Sequence, residues 1–154
     1  QMPLDETSQL GMHADTLSGQ SPFELVMWTA FSEFEPEAGM YYFDVKTSKQ
    51  IFADMLSSEE DGLDKLREKY WRKKKFLKIS NSQVAIFSGT IFHGNIINQT
   101  DKTRISVNCR FKNVYSPEGS EVLSERGVGI FYKLLNFGPV SRLAQEYIER
   151  KAKF

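Results

Sequence analysis

The sequence predicts a mainly β fold, a sandwich or barrel of short strands with one helical insertion and a C-terminal helix. Short apolar runs recur between clusters of Gly, Pro, Ser and Asn, as in strands separated by turns. Aromatic residues reach 13%, with twelve Phe and six Tyr, which favours strands and a ring-lined cavity over a helical bundle. Helical spacing is confined to residues 47 to 75 and 139 to 152. A jelly roll fits this pattern, because it can bring an early loop and a late strand to one cavity mouth.

Residues 1 to 12 are polar and rich in turn formers, and Thr16 to Pro22 read as a loop. Phe23 to Phe31 is apolar and bounded by turn residues, so it is a strand. Glu33 to Ala38 forms an acidic turn around Pro36, and Gly39 to Val45 is a second strand. Ile51, Met55 and Leu56, then Leu63, Leu66 and Tyr70, follow helical spacing, with Gly62 dividing two helices. Ile79 and Val84 to Phe87 return to strand, Ser88-Gly89 turns, and Ile91 to Ile97 carries His93 on a strand. Ile105 to Phe111 alternates, which predicts one buried face and one lining something polar. Cys109 then lies on the core side. Ser116 to Gly119 is a loop. In the last helix Val140, Leu143, Ala144, Tyr147 and Ile148 form one stripe, with basic residues at the end that match the helix dipole.

At 154 residues and 40% apolar content the chain suits one domain with a single core. Twenty basic residues balance twenty acidic ones, so no global field attracts nucleic acid or an anionic membrane. A lone cysteine allows no intrachain disulfide and fits a reducing compartment. No apolar run reaches membrane length and no signal pattern opens the chain, so the expectation is a soluble cytoplasmic protein. The chain starts Gln1-Met2-Pro3, which leaves a processed chain and a fragment of a longer protein both open. The basic run Arg72 to Lys75 reads as a solvated helix end, and Asp54, Glu59, Glu60 and Asp61 as a solvated acidic turn without Ca²⁺-loop spacing.

The only two histidines carry the chemistry. One stands in His13-Ala14-Asp15, the other in Phe92-His93-Gly94-Asn95, and Arg104 follows eleven residues after His93. Side chains two apart on an extended segment point the same way, so His13 and Asp15 can face one metal. Two imidazoles and a carboxylate are the donors of the facial triad that holds non-haem Fe(II) and leaves three positions open. Zn(II) takes the same donors, so ligand type alone does not select iron. The guanidinium of Arg104 matches a carboxylate bidentately, as a clamp for 2-oxoglutarate requires. Asn108 and Arg110 alternate with Ser106 and are candidates to face the cavity and read a polar substrate.

His13-x-Asp15, Trp28, Gly39, His93-Gly94-Asn95 and Arg104 together resemble the phytanoyl-CoA dioxygenase-like branch of the Fe(II)/2-oxoglutarate oxygenases. The blocks His13 to Glu24 and Thr103 to Lys112 are most similar to oxygenases of bacterial carbohydrate-biosynthesis clusters, and the likeness spans roughly residues 10 to 117. The resemblance implies a double-stranded β-helix, a cupin-like jelly roll, with iron at its mouth. It implies that His13, Asp15 and His93 bind iron and that Arg104 grips the distal carboxylate of 2-oxoglutarate. Trp28 and Asn95 match residues that flank this co-substrate, and Ser106 stands where a hydroxyl adds a hydrogen bond to the same carboxylate. Members of the family carry a longer segment before the H-x-D than the twelve residues here. The expectation is either a minimal version of the family or a chain that has lost its N-terminal part, and loss would expose a sheet edge and apolar surface.

The expected activity is an Fe(II)- and 2-oxoglutarate-dependent dioxygenase that uses O2 to hydroxylate a small molecule, by resemblance a carbohydrate or a biosynthetic intermediate. Asp15 occupies the position that chloride would need, which disfavours halogenation. The alternatives are a metal-dependent cupin-type sugar isomerase or epimerase, which has no use for a 2-oxoglutarate clamp, and a non-catalytic truncated jelly-roll domain.

Overall fold

Alternation along the first predicted strand puts Glu24, Val26, Trp28 and Ala30 on one side, and all four are buried. In the computed structural model, which describes residues 1–35, 38–57, 62–80, 82–113, 116 and 138–151, this strand is β1, Leu25–Ala30. The others are β2 (Met40–Tyr42), β3 (Lys75–Phe76), β4 (Ala85–Ser88), β5 (His93–Asn95) and β6 (Ser106–Phe111). The helices are α1 (Val45–Ser57), α2 (Leu63–Tyr70) and α3 (Pro139–Lys151). Pro36, Glu37, Glu59, Glu60, Asp61 and Pro117 to Gly119 lie outside the described residues, so the turns expected there have no counterpart to compare.

The strands form two three-stranded antiparallel sheets, ordered β4-β1-β6 and β3-β2-β5. The chain crosses from one sheet to the other between β1 and β2, between β3 and β4, and again on each side of β5. Period-2 alternation in β2 splits the core in two. Met40 faces Trp28 and Ala30 between the sheets, supported by Phe34, Leu77, Ile79 and Phe87. Tyr41 and Phe43 pack with Ile51, Leu66, Tyr70 and Phe92, where α1 and α2 lie against the second sheet. The helical insertion thus seals one face of the sheet that carries His93. Gly62 begins α2 as expected from its sequence position. Asp54 belongs to α1 and accepts hydrogen bonds from Lys69 Nζ and Tyr70 Oη at 2.6 and 2.8 Å, joining the two helices.

The start of α1 rests on Asp44, whose Oδ1 accepts the Thr47 backbone N–H at 2.9 Å, while Oδ2 meets Lys75 Nζ at 3.0 Å. The Thr47 backbone bond, then its hydroxyl, then Lys75 hold the Asp44 carboxyl at about 2. Because the folded-state value is depressed, the cap's contribution is fully present above the ordinary carboxylate value and is lost as pH falls from there through the folded-state value. Asp44→Ala is expected to cost ~1 kcal/mol at neutral pH, the usual worth of an N-cap. Urea titrations should show most of that difference gone by a pH of about 2 and the rest lost below it. An equal difference at every pH would remove the cap from the account.

The two faces of β6 depart from expectation. Ser106, Asn108 and Arg110 line a cavity as predicted. The opposite face, expected to be buried, is open: Val107 is 40% and Phe111 42% exposed, beside the exposed Leu25 and Ile86 of β1 and β4. Among the described residues no second layer covers this side of the sheet, and Cys109 is accordingly half-buried. Val140, Leu143 and Tyr147 of α3 are likewise exposed, so these three members of the stripe read from spacing are not buried in the core. Among the described residues no helix is long and apolar enough to cross a membrane.

Candidate metal centre

His13 lies far from β5 in sequence but pairs with it through an isolated antiparallel bridge. Its N–H donates to His93 O at 2.9 Å, and the His93 N–H donates back to His13 O at 2.8 Å. The bridge sets the two imidazoles side by side, with ring centroids 4.4 Å apart. Ala14 is extended, with φ −117° and ψ 137°, so His13 and Asp15 emerge on one side. The extended segment expected here ends at Asp15, where a 3-10 turn over Asp15–Ser18 begins and closes on Gly19 at φ 83°. That left-handed conformation suits glycine, which has no Cβ to clash. Gly94 answers a second constraint: a Cβ there would stand 2.6 Å from Tyr41 Oη and 2.8 Å from Gly11 O.

Backbone carbonyls determine the tautomers of both histidines. Nδ1 of His13 lies 2.8 Å from Gly11 O, and Nδ1 of His93 lies 2.8 Å from Ile91 O. A carbonyl only accepts, so each Nδ1 donates and each Nε2 keeps its lone pair for a metal. Burial, and then the neighbouring His13, pull the pKa of His93 below the ordinary histidine value. That favours the neutral imidazole, which is the ligating form. Asp15 Oδ1 stands 3.7 Å from His13 Nε2. Its Oδ2 is buried and has no hydrogen-bond partner among the described residues. The donor atoms of His13, Asp15 and His93 all lie within 4.8 Å of one another. Around a cation with bonds of ~2.1 Å, neighbouring donors stand roughly 3 to 3.5 Å apart, so a small contraction would close the set. Two imidazole Nε2 atoms and one buried carboxylate oxygen are a donor set that fits a divalent metal ion.

A cavity of about 200 Å³ collects His13, His93, Trp28, Asn95, Arg104, Ser106, Asn108 and Arg110 on its walls, with Leu10 and Met40. Asp15, the remaining predicted site residue, adjoins it through His13 and Arg110. Drug-sized sites run ~300–1,000 Å³, so this volume suits a small molecule. Arg104 is 7% exposed. Its Nη1 donates to Ala38 O at 3.1 Å, and its guanidinium lies 5.8 Å from the centre of the Trp28 ring. Burial lowers its pKa, yet an arginine starts high enough to remain charged. Among the described residues no carboxylate pairs with it, which leaves a buried cation facing a cavity. Such a group is costly without an anion, and a ligand carboxylate would supply one.

The amide of Asn95 is engaged by the N-terminal segment: Oδ1 accepts the Leu10 N–H, and Nδ2 donates to Ser8 O at 3.2 Å. Asn95 therefore holds one cavity wall in place as well as lining it. Arg110 lines the cavity too, but its guanidinium is committed to protein groups. Nη2 meets Asp15 Oδ1 and Nε meets Glu24 Oε1, both at 3.1 Å. Nη1 donates to Asn108 Oδ1, also at 3.1 Å. Glu24 is fully buried, and sequence reasoning assigned it no role. The signal was its parity: Glu24, Val26, Trp28 and Ala30 alternate, so a carboxylate falls on the inward side of a strand.

A comparison of the sequence with models of known protein families gives no match, and a comparison with curated proteins gives none.

Proposed function

We propose that the protein is a non-haem Fe(II)- and 2-oxoglutarate-dependent dioxygenase that hydroxylates a small molecule, with the two sheets as parts of a double-stranded β-helix. One observation carries the reading. A single small cavity joins a His-Asp-His donor set to a buried arginine that has no carboxylate partner among the described residues. His13, Asp15 and His93 would hold the metal, and Arg104 would hold the distal carboxylate of 2-oxoglutarate, with Ser106 beside it on the same wall. When bound, Fe(II) with 2-oxoglutarate and O2 supplies the oxidising power, releasing succinate and CO2. The chain supplies orientation. Trp28 and Met40 give the cavity apolar walls, and Asn108 offers an exposed amide to a polar substrate. The sheet order, in which the chain passes repeatedly between two antiparallel sheets, supports the jelly-roll reading. The class of substrate, a carbohydrate or small biosynthetic intermediate, rests on the sequence resemblance.

A sugar isomerase built on the same donors would need no clamp for a dicarboxylic acid, and the buried Arg104 favours the oxygenase. Anaerobic addition of Fe(II) and 2-oxoglutarate is expected to raise a weak visible charge-transfer band that Asp15→Ala abolishes. Metal uptake without a band would turn the assignment to the isomerase. Failure to take up metal would turn it to a non-catalytic domain.

A further inference from the structure

A three-donor metal site keeps three positions open only if its carboxylate uses one oxygen. A carboxylate that binds through both takes a fourth position. The chain Glu24–Arg110–Asp15 bears on this choice. Asp15 Oδ1 receives Arg110 Nη2 at 3.1 Å, while Oδ2 is buried with no hydrogen-bond partner among the described residues. Arg110 is itself anchored. Its Nε meets the fully buried Glu24 at 3.1 Å, and its Nη1 meets Asn108.

We infer that Arg110 is a positioning residue that keeps Asp15 a one-oxygen ligand, with Glu24 as its anchor, so that the third open position survives for a small ligand. The inference rests on the metal-binding part of the proposed function. With Arg110 in place, Asp15 Oδ1 already accepts a guanidinium N–H, which weakens that oxygen as a metal donor and opposes closure of both oxygens on one cation. Without it, both oxygens are available to the same cation.

The test uses Mn(II) alone as the probe, with its affinity and its water-proton relaxivity, which counts exchangeable waters on the ion. The wild type is expected to carry about three such waters. Arg110→Met is expected to bind Mn(II) as tightly or more tightly, yet carry about two, because Asp15 takes a further position. Damage to the fold would weaken binding instead of showing this split. Arg110→Lys, which keeps a donor, is expected to restore the wild-type count. If Arg110→Met does not fold, the double variant Arg110→Met/Glu24→Gln carries the test without leaving the Glu24 charge buried beside an apolar side chain. An unchanged water count in whichever of these variants folds would overturn the inference, as would a wild type that already carries two waters or takes up no Mn(II). Adding 2-oxoglutarate to the Mn(II)-loaded wild type is expected to displace about two waters. If it displaces none, the oxygenase reading fails while the role of Arg110 is still decided by the variants.

Discussion

Arg104→Met is expected to abolish productive 2-oxoglutarate binding while making the ligand-free protein more stable. Arg104 is a buried cation whose guanidinium makes one hydrogen bond among the described residues, from Nη1 to the Ala38 carbonyl, with none at Nε. An uncompensated buried charge costs several kcal/mol, and replacing it by an apolar side chain of similar length removes that cost. Methionine would still pack on Trp28, so the wall of the cavity would remain filled. The ligand loses a bidentate, desolvated charge pair, worth ~2–5 kcal/mol, or roughly 30- to several thousand-fold in affinity. Arg104→Lys should recover only part of this, since an ammonium lacks the guanidinium fork. The checks are a melting curve without ligand and an isothermal titration of the metal-loaded protein with 2-oxoglutarate. A variant that melts lower and binds 2-oxoglutarate like the wild type would make Arg104 a structural residue and leave the clamp without a candidate.

Asp15→Ala is expected to remove metal-dependent turnover altogether. Asp15 is the anionic member of the donor set, and the two imidazoles left behind are neutral ligands. Metal sites on folded chains draw on the order of 10 kcal/mol from a full ligand set, so losing a charged member should weaken binding by roughly a hundred- to a thousand-fold. The loss is separable from unfolding. Arg110 keeps Glu24 and Asn108 as partners when Asp15 is gone, so its charge does not become isolated. Stability should therefore fall by less than the ~3–5 kcal/mol typical of a broken buried pair. Metal titration together with succinate formed from 2-oxoglutarate reads the first effect, and a urea titration reads the second. Full succinate formation by Asp15→Ala would remove Asp15 from the donor set.

The two predictions separate the ends of one cavity. Loss of Asp15 should empty the proposed metal end, whereas loss of Arg104 should leave metal uptake intact and silence only the proposed co-substrate end. An isomerase of similar donor set would respond to the first substitution and ignore the second.

Much of this architecture was legible before any coordinates. The strand that became β1 follows from apolar alternation between turn residues, and β6 from the alternation of Ser106, Asn108 and Arg110 with apolar neighbours. The helical insertion follows from spacing at Ile51, Met55, Leu63, Leu66 and Tyr70. These are local patterns, because side-chain direction repeats every two residues in a strand and about every 3.6 in a helix. Residue type also nominated the site: two histidines, one carboxylate two residues from the first, and one arginine eleven after the second.

Tertiary structure alone decided how those groups meet. The bridge between His13 and His93 joins segments eighty residues apart, and no local period encodes a contact of that separation. The tautomers depend on two backbone carbonyls, Gly11 O and Ile91 O, whose directions follow from the path of the chain rather than from side-chain identity. Arg110 read as a substrate contact because its strand face was correct. Its partners, Asp15 and Glu24, became visible only when two distant segments were placed beside β6. The apolar side of β6 shows the converse. Alternation assigns residues to a face, but whether that face is covered depends on which other elements reach it, and among the described residues none does. Periodicity determines direction, whereas burial, pairing and charge compensation depend on long-range packing.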